Sequence, residues 1–148
     1  MTYAPSLTFD AYQVGDIRVS VVSDGAIAVP VTDALMLNAS GDDIRRALRD
    51  ADLPDDRLAT TFAPIIVETG GKRILVDTGL GADFAASMKA PVGRLIENMK
   101  ANGIEPKDID LVVVSHFHAD HINGLLANAP RCFPMLRSSH PSRNGRSG

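Results

Sequence analysis

The chain has 148 residues, 45% hydrophobic and 22% charged, which is enough apolar content for one globular domain with a core. Its formal net charge of −3 gives a nucleic acid no electrostatic footing, and its single cysteine, Cys132, excludes an intrachain disulfide. No stretch approaches the roughly 18 apolar residues of a membrane span, and Met1-Thr2-Tyr3-Ala4-Pro5 has neither region of a secretory leader. A cytoplasmic protein is therefore expected, with secretion after signal removal as the alternative.

In chain order, Ile17 to Val22 and Ala26 to Val31 flank Ser23-Asp24-Gly25, and Asp-Gly between apolar runs predicts a β-hairpin. Ser40 with Asp43 resembles a capping box, after which Ile44, Ala47, Leu48 and Ala51 recur at helical spacing until Pro54 stops the helix. A second hairpin joins Ala63–Thr69 to Arg73–Asp77 through Gly70-Gly71. Gly79-Leu80-Gly81 lacks the later glycine and the lysine of a nucleotide loop. Val92, Leu95, Ile96 and Met99 mark one face of a helix ending at Gly103, a residue suited to the C′ position. Leu111 to Val114 reads as a short buried strand, and Asp120 begins a short helix through Leu126.

Between those last two elements lies Ser115-His116-Phe117-His118-Ala119-Asp120-His121-Ile122-Asn123-Gly124, which holds three of the four histidines within six positions. Imidazole and carboxylate are the donors a divalent metal such as zinc takes at neutral pH. His116 and His118 can point to one side while Phe117 turns away into apolar packing, and Asp120 and His121 are displaced enough to reach a second ion. Gly124 permits close backbone approach. A polar loop with surface histidines is the bland alternative, and the clustering argues against it.

His116-Phe117-His118-Ala119-Asp120-His121 resembles the signature of the metallo-β-lactamase superfamily. The preceding segment from Asn102 to Asp110 and the motif Ile74-Leu75-Val76-Asp77-Thr78-Gly79 are similar to the same family, so the likeness runs from about Thr61 to Leu126. It leans toward the branch of methyl parathion hydrolase-like enzymes and lactone hydrolases. The resemblance implies two Zn2+ ions, with His116 and His118 on the first and Asp120 and His121 on the second. It gives Asp120 a catalytic role in holding the second ion and orienting the nucleophile. Asp77 would fix a ligand imidazole by hydrogen bonding, an ordinary turn residue being its alternative. The implied reaction is hydrolysis of an ester-like bond, a lactone or phosphotriester, by metal-bound hydroxide. The resemblance also allows Ala34-Leu35-Met36-Leu37 to be a mobile lip over a pocket, although simple packing is the expectation.

Family members use a later histidine, a bridging aspartate and a final histidine, and the sequence ends before any counterpart. The expected fold is therefore α/β, the N-terminal half of an αβ/βα sandwich: residues 1–128 as a partial domain and residues 129–148 as a disordered tail. That tail carries four arginines, four serines and three prolines without a period. Its His140 follows no strand and is not expected to be a ligand. A frameshift is one origin for it: with suitable codons at Leu136, Arg137, Ser138 and Ser139, the other frame can spell Phe-Pro-Asn-Ala-Glu-Ile-Val-Ala-Pro, similar to the strand that follows the signature in this family. Two protein ligands per ion leave the site short of the usual three, so inactivity as a fragment is expected, and a non-catalytic metal-binding remnant is the alternative function. The expected partner is a small-molecule substrate, with no nucleic acid and no membrane; a homo-oligomer, or a second chain supplying the missing half, is left open.

Overall fold

The computed structural model describes residues 8–126 and Phe133. Strands β1 (Phe9–Val14) and β2 (Ile17–Val22) form a hairpin around Gly15, whose φ of 59° suits the tight turn. β2 pairs antiparallel with β5 (Ile65–Thr69), β5 with β6 (Lys72–Val76), and β6 runs parallel to β7 (Leu111–Val113). The sheet order is β1-β2-β5-β6-β7. The β5–β6 hairpin is the one expected at Gly70-Gly71, where φ values of 56° and 72° match the left-handed pair of a two-residue turn.

The hairpin expected at Ser23-Asp24-Gly25 does not form. β3 (Gly25–Pro30) leaves the five-stranded sheet and pairs instead with β4 (Arg57–Phe62) in a separate two-stranded ribbon. Asp24 and Gly25 are a crossover between sheets. The reason is tertiary: the Asp24 amide donates to the Phe62 carbonyl at 2.8 Å, and Gly25, at φ 119°, passes so close to Pro91 that a Cβ would lie 2.2 Å from its carbonyl oxygen.

Helix α1 (Gly41–Asp50) starts as read, with the Ser40 hydroxyl accepting from the Asp43 amide, and it buries Ile44 and Leu48 against Val31. The packing expected of Ala34-Leu35-Met36-Leu37 is met by Leu35 alone; Met36 and Leu37 face solvent. Helix α2 (Ala82–Met88) follows the loop after β6, and α3 (Leu95–Ala101) ends at Gly103 with a φ of 76°. Val92 lies before α3, bridged to Gly25, while Leu95 and Met99 are the buried apolar positions of the helix.

The main core lies between α3 and one face of the five-stranded sheet, where Val22, Ile66, Leu75 and Val112 meet Leu95, Met99, Ile104 and Ile109. Full burial of each such side chain contributes roughly 1.5–3 kcal/mol. Phe133, five positions past the boundary expected at residue 128, is buried in the same cluster. β7 departs from the fully buried strand expected: only Val112 is buried, and Leu111 and Val113 point to the opposite face, where among the described residues both are exposed. Residues 127–132, with Cys132, and residues 134–148, with His140 and the frameshift segment after Phe133, lie outside the described residues. Among the described residues, no helix is long and apolar enough to cross a membrane.

Candidate metal centre

β6 and β7 are parallel, so their carboxyl ends emerge at one edge of the sheet, the place where open α/β sheets receive ligands. Asp77 continues from β6, and its amide donates to the Val113 carbonyl at 2.8 Å. It then turns the chain with a φ of 62°, a left-handed conformation that aspartate tolerates better than most residues. This bend directs its carboxylate at the segment leaving β7. Asp77 Oδ1 accepts from the Ser115 amide at 2.8 Å, and Oδ2 accepts from the Ser115 hydroxyl at 2.8 Å while lying 2.8 Å from His121 Nδ1. Burial pushes the Asp77 carboxyl up, but the hydrogen bonds from Ser115 and His121 outweigh it and hold the group below its ordinary value.

The three clustered histidines converge. His116 Nε2 and His118 Nδ1 are 3.0 Å apart, and the His116 and His121 rings lie with centroids 3.8 Å apart. Ser115 Oγ is 3.1 Å from both His116 Nδ1 and His121 Nδ1. Asp120 and His121 sit on α4 (Ala119–Ile122), the short helix expected from Asp120, and His121 Nε2 is 3.1 Å from Asp120 Oδ2. His116 and His118 face solvent, and so does Phe117, which is 79% exposed rather than packed as expected. The reason is that the segment leaves the edge of the sheet with nothing among the described residues packed against that side.

Thr78 and Gly124 lock the two halves of this edge together. The Thr78 amide and hydroxyl both donate to the His121 carbonyl, at 2.9 and 2.8 Å, and the Gly124 amide donates to the Gly79 carbonyl at 3.1 Å. A Cβ on Gly124 would sit 1.9 Å from the Thr78 carbonyl oxygen, so the close backbone approach expected of this glycine is what the structure has.

The donors fit a metal in chemistry and, pairwise, in spacing. Donor atoms roughly 2 Å from a tetrahedral zinc lie about 3.3 Å from each other. The His116–His118 pair at 3.0 Å and the Asp120–His121 pair at 3.1 Å both come near that edge length. With His121 Nδ1–H given to Asp77, the Nε2 lone pair faces a carboxylate oxygen, an arrangement that a shared cation relieves. Among the described residues, however, no group of three or more His, Cys, Asp or Glu side chains is disposed around one point. The structure therefore offers two pairs of donors, not a closed set.

Reading the residues alone left Ser115 without a role and missed Thr78 and Asp24. Ser115 and Thr78 flank the two motifs and act through contacts between them. Asp24 was read as a turn residue, and nothing near it in sequence signals its burial.

The model of the metallo-beta-lactamase superfamily matches residues 64–133. The ribonuclease Z of Agathobacter rectalis is 38% identical over 71 residues, covering 44% of this chain and 19% of that protein. Among solved structures, AidC, a dizinc quorum-quenching lactonase in complex with a hexanoyl homoserine product, superposes with a TM-score of 0.78 at 26% identity, covering 85% of this chain and 42% of the lactonase. The hydrolase AbOPH of the beta lactamase superfamily gives 0.72 at 24% identity, over 88% and 43% of the two chains, and so shares the fold. The chain thus spans less than half of each of these proteins. Residues 64–133, which contain both Asp77-Thr78-Gly79 and the histidine cluster, are the part of this chain that matches the metallo-beta-lactamase superfamily.

Proposed function

We propose that the chain carries half of a two-metal centre for hydrolysis of an ester-like bond in a small molecule, a lactone or a phosphotriester. The observation that carries this reading is the convergence of two donor pairs at the carboxyl ends of β6 and β7. His116 and His118 would hold one ion, and Asp120 and His121 the other. Bound there, the metal supplies Lewis acidity and lowers the pKa of water from about 15.7 toward about 7. Asp77 holds the His121 ring through Nδ1 and presents Nε2 outward, and Ser115 ties Asp77 to the same edge. The lactone class is favoured by the similarity to the dizinc lactonase.

The described residues offer two donors to each ion, one short of the three that catalytic zinc sites hold. This supports the second reading, a metal-binding but non-catalytic polypeptide. Zinc content after dialysis and turnover of a lactone and an activated phosphotriester separate the two. We expect weak zinc retention, lowered in His116→Ala and His118→Ala, and turnover at background. Chelation-sensitive turnover abolished by Asp120→Ala, with an unchanged circular dichroism spectrum, would establish hydrolysis by this chain and rule out the non-catalytic reading. Zinc content unaffected by both histidine substitutions would refute the metal assignment.

A further inference from the structure

Asp24 lies outside the histidine centre and is fully buried. Its Oδ2 accepts from the Leu80 amide at 2.8 Å and the Gly93 amide at 3.3 Å, and its Oδ1 from the Leu95 amide at 3.0 Å. The carboxyl group also lies against Gly79, where a Cβ would meet its Cγ at 2.4 Å. One side chain therefore joins the loop after β6 to the start of α3. That loop is the segment whose Thr78 holds the His121 carbonyl and whose Gly79 carbonyl holds Gly124. Residues 78–80 are gripped on one side by Asp24 and on the other by the turn that carries Asp120 and His121.

We infer that Asp24 is a positioning residue for the histidine centre: by anchoring Gly79 and Leu80 it sets the height of Thr78, and through Thr78 and Gly124 the placement of His121 against Asp77. A residue needed only to fill space here could be uncharged. Burial pushes the Asp24 carboxyl above its ordinary value, and the amides of Leu80, Leu95 and Gly93 draw it only part of the way back. A raised carboxyl pKa in the fold means stability lost as pH rises through it, a cost that a neutral side chain avoids. What a neutral side chain cannot do is accept from all three amides. In Asp24→Asn the amide oxygen can serve Leu80 and Gly93, but the NH2 group then opposes the Leu95 N–H.

The inference rests on the proposed metal-binding role, and the test separates the two. Zinc affinity, urea stability and amide hydrogen exchange are measured on the full chain for the parent, Asp24→Ala, Asp24→Asn and a control, Asn98→Ala. The control removes the neighbouring buried hydrogen bond from Asn98 to the Ser23 carbonyl, 2.7 Å long, without touching residues 78–80. Asp24→Ala should weaken zinc binding at least tenfold, in the range seen for residues that orient metal ligands, and release the Thr78 and Gly124 amides to fast exchange. Asp24→Asn should fall between it and the parent. Asn98→Ala should lower stability while leaving zinc affinity and both amides as in the parent. Parent-like affinity and protection in Asp24→Ala, or equal losses in Asn98→Ala, would overturn the inference. Should Asp24→Ala fail to fold, Asp24→Asn carries the same comparison. If the parent binds no zinc, the metal assignment fails by itself, and exchange at Thr78 and Gly124 still decides whether Asp24 sets that edge.

Discussion

At Gly124 the backbone of the turn that carries Asp120 and His121 passes under the Thr78 carbonyl with no room for one more carbon. Gly124→Ala must therefore move either the 121–124 turn or the loop after β6, and overpacking of this kind costs about 1–3 kcal/mol. Because the Thr78 side of the contact also holds the His121 carbonyl, the loss should appear in zinc affinity as well as in urea denaturation. Gly103→Ala is the comparison: that glycine has a φ of 76° but open space around its Cβ position, so its substitution should strain the end of α3 and leave zinc affinity unchanged. Equal zinc affinity in Gly124→Ala and the parent would show that the turn adapts. Asp77 works at the same scale, since its left-handed bend is what brings one carboxylate within 2.8 Å of Ser115 and His121 together.

Parallel pairing of β6 with β7 creates the edge on which those residues meet, and Asp110 fastens it at the far end. Its carboxylate accepts from Lys72 Nζ at 2.6 Å and from the Arg73 amide at 2.9 Å. Hydrogen bonding to Lys72 first, and then to the Arg73 amide, holds the Asp110 carboxyl below its ordinary value. A depressed carboxyl pKa gives stability that is present above the unfolded value of 3.8 and lost as pH falls through the lower folded value. Asp110→Asn should therefore be less stable than the parent at pH 7, with the gap closing below pH 3.8. Urea denaturation at the two ends of that range checks it, and a gap independent of pH would show that the charge does not matter there. Elements whose signals are local were legible in the sequence: the Ser40 cap with Asp43, the Gly70-Gly71 turn and the Gly103 helix end each depend on residues within a few positions. The crossover at Asp24 was not. Its three amide partners lie 56, 69 and 71 residues away, and no local pattern separates Asp-Gly in a hairpin from Asp-Gly between two sheets.

Over the whole molecule, the five-stranded sheet is covered on one face by α3, while its other face presents Val19, Val21, Ile74 and Val76, partly buried, beside the exposed Leu111 and Val113. The sequence could name β7 as a strand but not which of its faces is covered, because that depends on what packs against the sheet. The clustered histidines were legible for the opposite reason: side chains that share one loop meet by local geometry. Binding to such a loop is coupled to the fold, since a ligand held only by the native state stabilises it by RT ln(1 + [L]/Kd), about 2.7 kcal/mol at a hundredfold excess over Kd. Zinc at that excess should thus raise Tm by several degrees over the chelated protein. The rise should shrink in His116→Ala, which removes a donor, and also in Asp77→Ala, which frees the His121 ring without removing one. His140→Ala should leave the rise intact, because the proposed donors are His116, His118, Asp120 and His121. A Tm that ignores zinc would count against the centre as a whole, whereas a rise lost only in His140→Ala would move the ligand set to the carboxyl-terminal segment.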